Sequence, residues 1–198
     1  MSDAAARRLA WGAWAAATLA ALALVLACGP RFPWQDDFAL VTRLTGAQEF
    51  SWRWLWNGHN DHRFPLSMLA LLGVHSLGGG DHRLALVLHV ALLSAVAALA
   101  LATMRRLRGR ACASDAVLPF ACLHFGHWPN LLLSFQLWMV LTAAITCAWC
   151  VSFIGASERI SARRALLAAL GVASLPLLGG SGALSMPALA CASLAIAL

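Results

Sequence analysis

Charge is what this sequence has least of. Asp, Glu, Lys and Arg together make up 11% of the chain, against about 25% in a soluble globular protein, while hydrophobic residues make up 61%. A water-soluble domain of 198 residues could not hide that much apolar surface, so the soluble classes are excluded. Lysine is absent: all 14 basic residues are arginine, and most of them cluster in short segments beside apolar runs. The net charge of +6 therefore reports topology, and nucleic-acid binding falls away with disorder, collagen and coiled coil. Cysteine offers no disulfide framework, because Cys28, Cys122, Cys147, Cys150 and Cys191 all lie in or at the edge of apolar runs, where they read as small packing residues. The Cys147 and Cys150 pair sits inside a long apolar run with no strand pattern beside it, which speaks against a redox motif.

What is there in abundance is membrane-length apolar sequence. A bilayer core about 30 Å thick needs close to 20 helical residues at about 1.5 Å each. Residues 9–28 meet this without a charge, with Arg7 and Arg8 before them and Gly29-Pro30 after, the pattern of an uncleaved signal-anchor. Residues 84–104 form the next span, and Arg105, Arg106, Arg108 and Arg110 fix its end in the cytoplasm. With residues 1–8 also cytoplasmic, residues 29–83 become one long external loop, periplasmic in a bacterial inner membrane. The apolar stretch 64–77 is too short to cross and is bounded by His62-Arg63 and Gly78-Gly79-Gly80, so it reads as an interfacial or re-entrant helix. Residues 116–127 return outward, Trp128-Pro129-Asn130 turns, and residues 131–154 come back to a third cytoplasmic segment with Glu158, Arg159, Arg163 and Arg164. Residues 165–178 and 183–198 are two further spans or one kinked helix. The expected fold is all-α, a polytopic transmembrane helix bundle of five or six spans in a single membrane domain, 1–198. The chain ends inside apolar sequence, which predicts a longer functional unit.

The external loop holds five of the eight acidic residues and four of the nine tryptophans, a concentration that suits function better than linkage. Asp36 and Asp37 stand side by side just past the first span. Such a pair can hold a divalent cation (Mg or Mn) through oxygen ligands, divide into a general base and an orienting partner, or simply cap the next helix. Residues 38–56 read as one helix lying along the membrane, anchored by Trp52, Trp54 and Trp56. The most polar segment follows: Trp56-Asn57-Gly58-His59-Asn60-Asp61-His62-Arg63-Phe64-Pro65. His59, Asp61 and His62 can ligate a metal or build a hydrogen-bonded turn before a helix starting at Pro65, and Arg63 beside them suits a phosphate clamp. Asp81-His82-Arg83 repeats that chemistry, with Arg83 as a second clamp or part of a capping turn. Gln136 is costly inside an apolar span, so it lines a pocket or bonds a neighbouring helix. His75, His89 and His124, in apolar runs, read as packing residues.

In this order the features resemble the amino-terminal half of bacterial GT-C-type membrane glycosyltransferases, the superfamily of the protein mannosyltransferases and lipid A aminoarabinose transferases. The resemblance rests on the first span followed by Asp36-Asp37-Phe38, the outer loop with Trp56 through Arg63, the arginine-closed second span, and Trp128-Pro129-Asn130 through Phe135-Gln136-Leu137-Trp138. It covers about residues 9–155, with a fainter continuation over 179–187. The resemblance implies a polyprenyl-phosphate-linked sugar donor, an acceptor on the periplasmic side, and Asp36 and Asp37 as catalytic or metal-associated residues. His59, Asp61, His62, Arg63, Arg83 and Gln136 are then substrate-binding candidates. Two alternatives stay open: a non-enzymatic membrane protein, such as a transporter or flippase segment or an envelope scaffold, and an inactive truncated fragment.

Overall fold

A computed structural model describes residues 1–59, 62–153 and 161–197. Asp61, Glu158 and Arg159 lie outside the described residues. Three helices are long and apolar enough to cross a membrane: α1 (Asp3–Cys28), α5 (Arg83–Arg108) and the segment Ser134–Val151, most of which is α8 (Leu137–Phe153). No helix-to-strand alternative arises among the described residues, whose only bridge pairing is the isolated contact of His59 with His62.

The buried face of α1 is Ala6, Ala10, Ala17, Ala21 and Val25. Small side chains at that spacing let the antiparallel α5 approach closely, and close approach is what holds helices together where lipid is as apolar as the side chains. Two polar contacts fix the register: the indole N–H of Trp14 donates to the Ser94 carbonyl at 2.9 Å, and the Thr18 and Ser94 hydroxyls meet at 2.8 Å. At the far end the Asp3 carboxylate accepts the Ala111 N–H at 2.6 Å, and Arg108 pairs with Asp115, so the arginine cluster is folded back onto the start of α1. Gly109, at φ +68°, stops α5 there by turning left-handed.

From Asp115 the chain runs back along α1 and α5 in pieces. The 7-residue α6 (Val117–Leu123) and the 5-residue α7 (Trp128–Leu132) put Leu123 and Leu131 against Ala17, Val25, Leu86 and Val90. Residues 116–127, expected as one segment, are broken: His124 is extended and Pro129 opens α7. The turn expected at Trp128-Pro129-Asn130 is the start of α7, and the change of direction comes at the extended Leu133. α8 then runs parallel to α5, with Leu137 beside Ala85. α9 (Ala162–Ser174) returns antiparallel to α8, and α10 (Gly180–Ala197) runs parallel to α8, its Ser193 accepting from the Trp149 indole at 3.2 Å.

The outer layer departs from expectation. Residues 38–56 are not one helix but α2 (Phe38–Leu44) and α3 (Trp52–Trp56). Gly46 at φ +72° ends the first, and Ser51 starts the second by accepting the Trp54 N–H at 3.1 Å. The inward residues are Leu40 and Leu55, while Phe38, Trp52 and Trp56 stay exposed, as interfacial anchors would. α4 (Pro65–Leu77) begins at Pro65 as the sequence predicts. At 13 residues it reaches about 20 Å, short of a bilayer core. Leu40, Leu55, Phe64, Met68 and Leu71 pack this layer onto Ala85, Phe135 and Leu137, at the end of the bundle opposite the arginine cluster.

Candidate functional site

The site grows from three chain ends that meet under the outer layer. The turn Gln35–Asp37 leads into α2, the turn Gly78-Gly79-Gly80 delivers His82 to the start of α5, and the turn Ser134–Gln136 leads into α8. The His82 N–H donates to the Arg31 carbonyl at 3.2 Å, which ties the segment after α1 to the start of α5.

The two adjacent carboxylates have opposite environments. Asp37 is fully buried, whereas the Asp36 side chain is 52% exposed. The Ser134 hydroxyl donates to Asp37 Oδ1 at 2.5 Å, the Trp34 N–H donates to Oδ2 at 3.3 Å, and His82 Nδ1 lies 3.4 Å from Oδ2. Burial pushes the Asp37 carboxyl up, but the bonds from His82, Ser134 and the Trp34 N–H, with the charge of His82, outweigh it and hold the group below the usual carboxylate range. Asp37 is therefore a buried anion clamped by three elements. The helix-cap reading holds in part, since its carboxylate reaches back to the Trp34 N–H, while α2 receives no side-chain cap from it.

Hydrogen bookkeeping sets the tautomers around it. Ser134 has one proton and gives it to Asp37, so its oxygen accepts from His82 Nδ1 at 3.2 Å and from His75 Nε2 at 3.4 Å. The imidazoles of His75 and His82 lie 3.9 Å apart, and His75 Nδ1 is buried without a partner. Burial, reinforced by the charge of His82, lowers His75 to about 4, so it is neutral near pH 7. His75 contributes no stability cost above its ordinary value of 6.5. Between there and about 4 the unfolded chain takes up a proton that the folded one refuses, so stability falls with pH. The expected slope is up to about 1.4 kcal/mol per pH unit, read as the thermal midpoint of the detergent-solubilised protein. His75→Gln, which keeps a donor toward Ser134, is expected to flatten that slope. An unchanged slope would remove His75 as its source.

Asp36 faces outward with His59, whose Nε2 is 3.3 Å from Asp36 Oδ1. The His59 ring lies 4.9 Å from Phe135, beside the Ser134–Gln136 turn. His62 is exposed and packs 6.1 Å from Trp138, and a Cβ on Gly180 would stand 3.0 Å from its Nδ1. Arg63 is exposed, with no carboxylate partner among the described residues. Arg83 is committed differently: its guanidinium forks onto Asp81, with Nη2 to Oδ2 at 2.6 Å and Nε to Oδ1 at 3.1 Å. That fork holds Asp81 at about 2. Of the two expected clamps, Arg63 is the one left open. Gln136 Oε1 is buried without a hydrogen-bond partner, as a residue aimed at a ligand would be, and no interhelical bond satisfies it.

The pair therefore brings together Asp36 with His59, and separately Asp37 with Ser134, His82 and His75. Sequence reasoning missed the second group. His75 reads as packing and Asp81-His82-Arg83 as a cap, and nothing in the local sequence couples them to a serine before α8. Both Asp37 oxygens already accept hydrogen bonds from the protein, which leaves Asp36 as the carboxylate of the pair open to a ligand. No protein-family model, curated protein or solved structure matches the chain.

Proposed function

We propose that the chain is a GT-C-type membrane glycosyltransferase that moves a sugar from a polyprenyl-phosphate donor to an acceptor hydroxyl on the periplasmic side. The observation that carries this reading is the division of labour in the carboxylate pair: an exposed Asp36 with His59 Nε2 at 3.3 Å, on a turn pinned by the buried Asp37. Asp36 takes the proton of the acceptor hydroxyl, the oxygen attacks the anomeric carbon, and the bond from that carbon to the donor phosphate breaks. Arg63 meets the negative charge gained by the departing phosphate, in the bidentate geometry guanidinium offers. The exposed Trp52 and Trp56 support this reading, since tryptophans favour headgroup depth, where a polyprenyl tail would enter from the bilayer.

In this reading α1, α5, the broken segment 113–132, α8, α9 with its following turn, and α10 make six passes through an inner membrane. The amino terminus and the arginine cluster are cytoplasmic, and residues 29–83 are periplasmic. The broken segment is the feature that favours the second reading, a transporter-like protein, since interrupted helices recur in transporters. Two measurements separate them. A single cysteine in place of the exposed Asn57, with native cysteines replaced, is expected to react with a membrane-impermeant thiol reagent on intact cells. Reaction only after lysis would put the loop in the cytoplasm and end the glycosyltransferase reading. Release of polyprenyl phosphate from a sugar-loaded polyprenyl phosphate then tests turnover directly.

A further inference from the structure

At the other end of the bundle α8 and α9 splay apart. Gly171 lets them touch, since a Cβ there would stand 3.3 Å from Ile145 Cγ2. Toward the start of α9 they separate into an open groove of about 400 Å³. Its walls are apolar, from Ile145, Trp149, Leu167 and Ala168, and its mouth carries Arg163 and Arg164. Neither arginine has an ion-pair partner among the described residues, and residues 117–153 and 161–197 contain no Asp or Glu at all. Beside the groove Leu166 and Leu170 are 60% and 58% exposed, so the helix face around it is apolar as well. α8 runs parallel to α5, which places this mouth at the same end as Arg105, Arg106 and Arg108.

We propose that this groove is a binding site for an anionic phospholipid, with one acyl chain between α8 and α9 and the phosphate held by Arg163 and Arg164. The apolar walls suit a hydrocarbon chain, and two guanidinium groups with no carboxylate partner among the described residues match a phosphodiester at its mouth. A zwitterionic lipid supplies the chain but cancels the phosphate charge with its own ammonium, so the site discriminates by headgroup. Basic pockets between helices on the arginine-rich side of a membrane protein are a known physical solution for such headgroups. The inference is independent of any catalytic role for Asp36.

Trp149 in the wall supplies the probe. The full-length protein is reconstituted in phosphatidylcholine vesicles carrying rising fractions of dibrominated phosphatidylglycerol or, in parallel, dibrominated phosphatidylcholine. The Trp149 signal is the difference between wild type and Trp149→Phe. Each guanidinium near the surface is expected to favour the anionic lipid about fivefold, so the two lipids should differ roughly twentyfold or more in the fraction that half-quenches Trp149. Arg163→Gln with Arg164→Gln should bring the two curves together. Ala168→Leu, which fills the groove and keeps both charges, should protect Trp149 from both lipids. Raised salt should shrink the preference in wild type, which supplies the same reading if the double variant fails to fold. Equal quenching by the two lipids, a preference that survives the double variant or salt, or a Trp149 reached by neither lipid would each overturn the proposal.

Discussion

Asp36→Asn is expected to lower sugar transfer by about 10²- to 10⁴-fold, the contribution usual for a positioned general base, while leaving the thermal midpoint unchanged. The amide is the same shape and size, and Asp36 is 52% exposed, with His59 at 3.3 Å. No buried partner loses its bond when the charge goes. What is lost is a lone pair basic enough to take the acceptor proton. The measurement is single-turnover release of polyprenyl phosphate from a sugar-loaded polyprenyl phosphate, with membrane insertion checked in the same preparation. A variant with wild-type turnover would strip Asp36 of its catalytic role. His59→Gln is expected to cost less, because it changes a neighbour 3.3 Å from the carboxylate and leaves the base in place.

Asp37→Ala is expected to behave in the opposite way, destabilising the protein by about 3–5 kcal/mol, as removal of one partner from a buried charged pair does. The carboxylate accepts from the Ser134 hydroxyl and the Trp34 N–H and faces His82, and Asp37, Ser134 and His82 are all buried. Truncation takes the acceptor from the buried Ser134 hydroxyl and the facing carboxylate from His82, which is the costly case for polar groups. Turnover is also lost, because the turn that carries Asp36 is no longer pinned to α5 and α8. Asp37→Asn should fall between, since it keeps the shape and gives up the charge. Thermal unfolding in detergent checks the ranking of Ala, Asn and wild type. Equal midpoints for all three would mean the clamp contributes nothing and the two carboxylates have no separate roles.

The contrast between these variants was only half legible in the sequence. Asp36 and Asp37 stand out because two acids beside an apolar span are rare, and rarity is visible along a chain. Which is buried is not, because the Ser134 partner of Asp37 is 97 residues away, and His75 and Ser134 are 59 apart. The same division runs through the fold. The start of α4 at Pro65 and the ends of α1 and α5 follow from proline, glycine and arginine at fixed places, so they are legible. The break between α2 and α3 hung on a single glycine taking φ +72°, and a glycine inside a helical pattern does not announce which conformation it takes.

Composition and order alone determined that the chain is membrane-like, helical, and polar at one end of its first two spans, because transfer into lipid depends on residues summed over a window and needs no knowledge of partners. Only the tertiary structure decided that Asp37 is a buried clamp and Asp36 the open carboxylate, that Arg83 belongs to Asp81, and that α8 and α9 part around Arg163 and Arg164. Those outcomes depend on which distant helices meet, and burial, hydrogen-bond partners and grooves exist only once they have met.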